Sequence, residues 1–186
     1  MSEAMQTVRR IPRSLDFPDT EKPYVESIRG RLERKVSPKT RHSILQGRLW
    51  GVLNSWGASR GSIGTEWRFY LLTDRAKPSS LVPDVAYVSH ERLPRDFPED
   101  ARERPRIAPD IAVEIVSPRD CLRSLEEKVA IYLSHGCGAV VIVWPERHAV
   151  ELRYSEGRRG EASSGLVSVD GFQGLTIDVD SLFTDL

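Results

Sequence analysis

One six-residue stretch does most to decide the fold, and it reads Ile111-Ala112-Val113-Glu114-Ile115-Val116. Five of its residues are apolar, which is typical of a central strand that is covered on both faces. A second apolar run lies at 139–144, and the segment 122–134 between them has apolar residues at helical spacing. The order strand, helix, strand predicts a crossover and a mixed sheet with helices packed on it. The expected fold class is therefore α/β.

Other elements have weaker signals. Residues 24–36 alternate around Gly30 and predict a hairpin, and strands are expected at 65–71, 81–88 and 150–154. Ser37-Pro38 is expected to open a helix that continues to Trp56. The charged, proline-rich segment 90–108 is interpreted as a surface excursion.

Length and composition favour one domain. The chain has 186 residues, of which 39% are hydrophobic and 29% are charged. We expect a loose arm at residues 1–22 and one domain at 23–186. No apolar run reaches the roughly 18 residues that span a membrane, and no secretory leader is recognisable, so a cytoplasmic protein is expected. Cys121 and Cys137 are expected to be reduced, because a helix predicted between them would hold them apart.

Two carboxylates attract attention because of their apolar surroundings. Glu114 is the only charge in its strand, and burying it costs several kcal/mol unless a cation or a hydrogen-bonding partner compensates. Asp84 directly follows Pro83 at the mouth of the strand expected at 81–88. Two carboxylates on adjacent strands would form a hard oxygen site that suits Mg²⁺. A lysine or arginine partner would satisfy Glu114 equally well, and an aspartate at a strand end is also a common cap.

Lys128 is the third residue of interest. Its angular position places it about 80° from the centre of the apolar stripe of the predicted helix, at the border of that stripe. From there its ammonium could reach the strand ends and stabilise negative charge. An ordinary surface lysine is the alternative.

Three segments together resemble the Uma-two-type restriction endonucleases, a family formerly known as a domain of unknown function. They are Pro83-Asp84-Val85, the run from Ala108 to Pro118, and the run from Leu125 to Leu133. The resemblance covers roughly residues 24 to 184. It implies a restriction-endonuclease-like core, a central mixed β-sheet flanked by helices, within the PD-(D/E)XK superfamily. Members of that superfamily cleave nucleic acid with Mg²⁺, and Mn²⁺ is a second possible cofactor.

The resemblance also implies site residues. Asp84 matches the PD aspartate and Glu114 the (D/E) position, while Val116 stands where the superfamily pattern expects lysine. The lysine is instead expected at Lys128 on the following helix. The Ile115 carbonyl is a further candidate metal ligand.

Additional candidates complete the expected site. Glu66 and His42 are candidate catalytic residues, with an exposed strand charge and an ordinary polar contact as their alternatives. The basic residues that would contact nucleic-acid phosphates are Arg34, Lys35, Lys39 and Arg41. DNA is the favoured partner, and a homodimer is expected because two-fold symmetry suits the cutting of two strands.

Two other functions fit the same sequence. The formal net charge of zero and the valine at position 116 favour a nuclease-like fold that only binds nucleic acid or protein. Alternatively, the carboxylates belong to an α/β domain with structural salt bridges, Asp84–Lys128 or Glu114–Lys128. Removing one partner of such a pair would destabilise the fold severely.

Overall fold

The computed structural model describes residues 25–35, 39–72, 78–118 and 120–186. The arm expected at 1–22 and the helix start expected at Ser37-Pro38 lie outside these residues. The described strands are β1 (Val25–Ile28), β2 (Arg31–Arg34), β3 (Gly61–Thr65), β4 (Phe69–Leu72), β5 (Pro78–Leu81), β6 (Val85–Ser89), β7 (Ile111–Ile115), β8 (Ala139–Trp144), β9 (Ala149–Arg153), β10 (Arg159–Ala162), β11 (Leu166–Ser168) and β12 (Thr176–Asp178). The described helices are α1 (Thr40–Gly57), α2 (Glu99–Glu103), α3 (Leu122–Ser134) and α4 (Val179–Phe183).

The central sheet has six strands in the order β10-β9-β8-β7-β6-β3. β7 and β8 run parallel and are joined through α3, whereas the other neighbouring pairs are antiparallel. The sheet is therefore mixed, and the strand–helix–strand unit expected from the sequence is confirmed.

The two faces of this sheet carry different helices. Alternate residues of β7, including Val113 and Ile115, belong to the core that contains Leu45 and Leu49 of α1. Ala112 lies on the other side, in the core that contains Leu125, Val129 and Tyr132 of α3. Because side chains alternate along a strand, Glu114 shares the α3 face with Ala112. This alternation places the carboxylate beneath α3.

A second sheet of four strands, in the order β2-β1-β5-β4, carries the hairpin expected near Gly30. Arg29 and Gly30 form its turn with φ values of 50° and 82°, a left-handed conformation that suits a two-residue hairpin turn. Glu33 of β2 accepts a hydrogen bond from the hydroxyl of Ser124 on α3 at 2.8 Å, and Arg31 of β2 pairs with Glu127 on α3 at 2.9 Å. These contacts hold the hairpin against α3.

Two expected strands are each divided in the structure. The strand expected at 65–71 is interrupted after β3, because Glu66 adopts φ = 52° and the chain then passes to β4 in the other sheet. The strand expected at 81–88 is likewise divided into β5 and β6, which belong to different sheets. At both breaks, residues 66–68 and 82–84, the chain stays buried or partly buried while it changes sheets. The change of sheet is therefore not marked by an exposed turn.

The segment 90–108 is more than a surface excursion. It contains the short helix α2, and its buried residues include Leu93 and Ala108. Among the described helices, none is long and apolar enough to cross a membrane. Cys121 is exposed, Cys137 is buried, and both are free thiols, as expected.

Candidate active site

Asp84 lies where the chain enters the central sheet. Its backbone N–H donates to the carbonyl of Val113 at 2.9 Å, so the β6–β7 ladder extends one residue beyond β6. The register that pairs Val85 with Val113 sets Asp84 opposite Glu114. The Gln46 amide on α1 donates to the Asp84 carbonyl at 2.8 Å and fixes this backbone position. The two carboxylates predicted to lie on adjacent strands are thus neighbours across the ladder.

The two carboxylate oxygens of Asp84 have different partners. Oδ2 accepts the Ile115 N–H at 2.7 Å and lies 3.4 Å from His42 Nε2. Oδ1 lies 2.6 Å from Lys35 Nζ, but no described donor is aligned on it as a hydrogen bond. Lys35 is therefore the one described partner of Oδ1, and this oxygen retains lone-pair capacity for a further ligand.

Asp84 is only 2% exposed. Burial alone would raise the pKa of its carboxyl, but the Lys35 ammonium, followed by His42, outweighs burial and holds the pKa well below its usual range. Burial alone would lower the pKa of Lys35, but the Asp84 charge outweighs it and raises that pKa. The pair is accordingly ionised at neutral pH.

Lys128 lies within the buried face of α3 rather than at its border, with a relative exposure of 7%. Its ammonium is 2.6 Å from Glu114 Oε2 and 3.1 Å from the Glu26 carboxylate. The Tyr132 hydroxyl, one helical turn further on, donates to Glu114 Oε1 at 2.9 Å. The Glu114–Lys128 contact that the sequence left open as a salt bridge is present, and Lys128 contacts a second carboxylate as well.

Glu26 was not expected in this site. Its Oε1 accepts the Val82 N–H at 2.6 Å, and the residue is buried. It lies on β1, which pairs with β5 just before the chain reaches Asp84. A carboxylate inside a short strand that also contains Val25 and Ile28 is the same kind of sequence signal that identified Glu114.

The pKa of Glu114 is shifted upward. Burial raises it to about 7; Lys128 opposes the shift, whereas the nearby Glu26 carboxylate adds to it. Burial alone would lower the pKa of Lys128, but Glu114 and then Glu26 outweigh it and raise that pKa well above the usual range. Lys128 is therefore cationic, and Glu114 exchanges its proton near neutral pH.

These groups line one narrow cavity of about 100 Å³. Its buried acidic residues are Glu26, Asp84 and Glu114, which exceed by one the two ammonium groups, Lys35 and Lys128. An excess of buried negative charge favours binding of a proton or a cation. The upward shift of the Glu114 pKa, which burial causes first and to which Glu26 adds, agrees with this imbalance.

The donor set fits a hard divalent cation. Mg²⁺ is usually bound through one or two carboxylates, with water and substrate oxygens as the remaining ligands. Asp84 and Glu114 supply two such carboxylates, and the buried Asp84 Oδ1 has no aligned donor. Within the described part of the chain, no three His, Cys, Asp or Glu residues form a ready-made metal cluster. Asp84 and Glu114, opposite each other on neighbouring strands, are thus the pair of cavity carboxylates that suits such a cation.

Of the three further catalytic and metal-ligand candidates, Ile115, His42 and Glu66, the first two line the cavity. Ile115 lines it, and its N–H holds Asp84 in place. His42 Nε2 faces Asp84, whereas its buried Nδ1 has no hydrogen-bond partner among the described residues. Glu66 is joined to the site through its backbone, whose N–H donates to the Asp84 carbonyl at 3.2 Å. Its side chain is not among the described groups that line the cavity.

The four basic residues expected to bind phosphate occupy different environments. Arg34 is exposed at the cavity, whereas Lys35 is drawn inward onto Asp84. Lys39 occupies the N-cap position of α1, makes no capping hydrogen bond with its side chain, and is exposed. Arg41 reaches Glu146 at 3.4 Å. Arg34, Lys39 and Arg41 thus remain accessible to a partner.

A larger cleft of about 890 Å³ lies elsewhere, between α1 and the β12–α4 segment. Arg48, which lines it, donates to the Leu182 and Thr184 carbonyls at 2.9 and 2.7 Å. Its charge is therefore used to join the two helices. The smaller cavity is the candidate active site, because the buried carboxylates and the ammonium groups line it.

Comparisons with known proteins identify the family and agree with the fold. The family model Uma2, described as "Putative restriction endonuclease", matches residues 9–180. A solved structure described as a putative nuclease belonging to DUF820 from Anabaena variabilis ATCC 29413 is similar, with a TM-score of 0.79 and 25% sequence identity. The likeness covers 91% of this chain and 94% of that one. The comparison with curated proteins gives no match. The expected restriction-endonuclease-like α/β fold and the family resemblance are confirmed.

Proposed function

Because the chain belongs to the Uma2 family, we propose that it is a metal-dependent endonuclease that hydrolyses phosphodiester bonds of DNA. The family and the fold support a nuclease of the restriction-endonuclease type. The observation that most supports the location of the active site is the single cavity lined by Asp84, Glu114 and Lys128.

Asp84 and Glu114 would hold the divalent cation, Mg²⁺ or Mn²⁺, with the Ile115 carbonyl as a further ligand. When bound, the cation would polarise the scissile phosphate and lower the pKa of a bound water. Lys128, fixed by Glu26 and Glu114, keeps a positive charge beside the carboxylates. In this proposal Lys128 orients the attacking water and stabilises the negative charge that develops on the phosphate.

Residues outside the carboxylate pair have supporting roles in this proposal. His42 contacts Asp84 Oδ2 and is a candidate for proton transfer. Arg34, Lys39 and Arg41 are proposed to contact the phosphate backbone, which positions a substrate without reading its bases. Glu66 is retained as a secondary candidate, next to the Asp84 backbone.

A second function has one specific observation in its favour. Each of the buried carboxylates already contacts an ammonium group, Asp84 through Lys35, and Glu26 and Glu114 through Lys128. Such pairs suit a nuclease-like fold that binds nucleic acid or protein without cleaving. A module of this kind would gain no stability from Mg²⁺ or Mn²⁺.

A cleavage panel tests the proposal. The protein is incubated with supercoiled plasmid, linear duplex, single-stranded DNA and RNA, each with Mg²⁺, Mn²⁺ or EDTA. Metal-dependent nicking of plasmid that EDTA abolishes is the expected result. Asp84→Asn, purified in the same way, controls for contaminating nuclease. An inert wild-type protein that also shows no metal-dependent shift in Tm would support the binding module instead.

A further inference from the structure

Lys35 occupies an unusual position for a lysine that follows an edge strand. Its ammonium lies 2.6 Å from Asp84 Oδ1 and donates to the Val82 carbonyl at 2.7 Å. Its side chain is only 16% exposed. A basic residue expected to face nucleic acid is instead drawn into the carboxylate cavity.

The contact involves the one Asp84 oxygen suited to an added ligand. Oδ2 is already used by the Ile115 N–H at 2.7 Å and by His42 at 3.4 Å. Oδ1 has no aligned hydrogen-bond donor and only Lys35 as a described ion-pair partner. A divalent cation on Oδ1 would lie within a few ångströms of the ammonium, and like charges repel strongly where water is largely excluded. The two cations therefore compete for the same oxygen.

Of the two buried lysines, Lys35 is the one able to leave. Lys128 is held between Glu26 and Glu114 on a continuous helix and is 7% exposed. Lys35 follows the last residue of β2, pairs with one carboxylate, and is the more exposed of the two side chains. Moving its long side chain outward requires no change in the central sheet.

We propose that Lys35 sets the metal affinity of the site, because its ammonium holds the position on Asp84 Oδ1 that a divalent cation needs. The inference rests on the proposed function, in which Asp84 is a metal ligand. Cation binding then requires Lys35 to move away from Asp84. Substrate phosphates offer the displaced ammonium another anionic partner, so nucleic acid and metal strengthen each other's binding.

The test measures Mn²⁺ affinity by calorimetry and by the electron paramagnetic resonance signal of free Mn²⁺. Lys35→Gln removes the competing charge and is expected to bind Mn²⁺ at least tenfold more tightly than wild type. Arg159→Gln removes one positive charge at an exposed position on β10, at the edge of the central sheet, and is expected to keep the wild-type affinity. Should the amide variant not fold, Lys35→Met, which keeps the apolar stem, replaces it.

The outcomes separate this inference from the proposed function. If Lys35→Gln binds Mn²⁺ no more tightly than wild type, while Asp84→Asn abolishes binding, the metal site stands and competition by Lys35 is refuted. If no variant binds Mn²⁺ and the wild type cleaves nothing, both proposals fail. A tenfold gain in both Lys35→Gln and Arg159→Gln would refute a specific role for Lys35 and indicate a general charge effect.

Discussion

Glu114 illustrates at the scale of one residue how burial changes the chemistry of a carboxylate. With a pKa raised to about 7, it retains a proton in the folded chain at pH values where an unfolded glutamate, with a pKa near 4.5, is already ionised. The folded state thus binds more protons between these two values. Its stability contribution is fully present below pH 4.5 and is lost as the pH rises through about 7.

Glu114→Gln is therefore expected to flatten the dependence of stability on pH. In the wild type, the free energy of unfolding should fall between pH 5 and 7.5, and the full pKa shift corresponds to about 3 kcal/mol. The glutamine variant should lose most of this decline. Urea unfolding at both pH values measures the effect.

Glu161→Gln is the matched control, because Glu161 is half exposed and pairs with Arg147 at the surface. It should retain the decline seen in the wild type. An equally steep decline in Glu114→Gln would mean that Glu114 is not the group that retains the proton.

The pKa of Asp84 is shifted in the opposite direction from that of Glu114. Its pKa is held below the usual range, so its contribution to stability is present above pH 4 and is lost as the pH falls. The separation between Asp84, which stays ionised, and Glu114, which exchanges a proton near neutral pH, is typical of paired carboxylates at functional sites.

At the scale of single elements, the β1–β2 hairpin supplies both Glu26 and Lys35 to the cavity. Gly30 forms its turn at φ = 82°. Gly30→Ala is expected to lower the free energy of unfolding by about 1 kcal/mol, because side chains disfavour left-handed backbone. Thermal or urea unfolding measures this loss.

Gly160→Ala provides the comparison for the hairpin turn. Gly160 lies on β10 without a positive φ, and a methyl group there would meet no atom within 4 Å. This variant should be close to wild type in stability. Equal stabilities for the two alanine variants would show that the hairpin turn is not under backbone constraint.

The elements also show what the sequence could and could not predict. The apolar runs of β7 and β8 and the spacing of α3 predicted the mixed core, because burial on both faces leaves a local pattern. The places where the chain changes sheets, near Glu66 and at Val82–Asp84, have no comparable local sequence pattern, so each pair of strands was predicted as one. Glu26 and Lys35 were not assigned to the carboxylate site because their contacts are distant in sequence; Glu26 and Lys128 are 102 positions apart.

At the scale of the whole molecule, the formal net charge is zero, so long-range attraction to nucleic acid depends on local basic groups rather than on overall charge. A homodimer is proposed because two symmetry-related sites suit a two-stranded substrate. Light scattering coupled to gel filtration should then give twice the 21.0 kDa mass of one chain. A mass of a single chain at micromolar concentration would argue against the dimer.

The measurement that tests the central claim most directly is the rate of plasmid nicking, with Mg²⁺ or Mn²⁺, in four substituted proteins and the wild type. Asp84→Asn, Glu114→Gln and Lys128→Met, each verified as folded by circular dichroism, are expected to lose activity by at least a hundredfold, whereas Glu161→Gln keeps it. Such a loss corresponds to about 3 kcal/mol or more of transition-state stabilisation. A wild-type protein that nicks no substrate with either metal, or three variants as active as the wild type, would contradict the account.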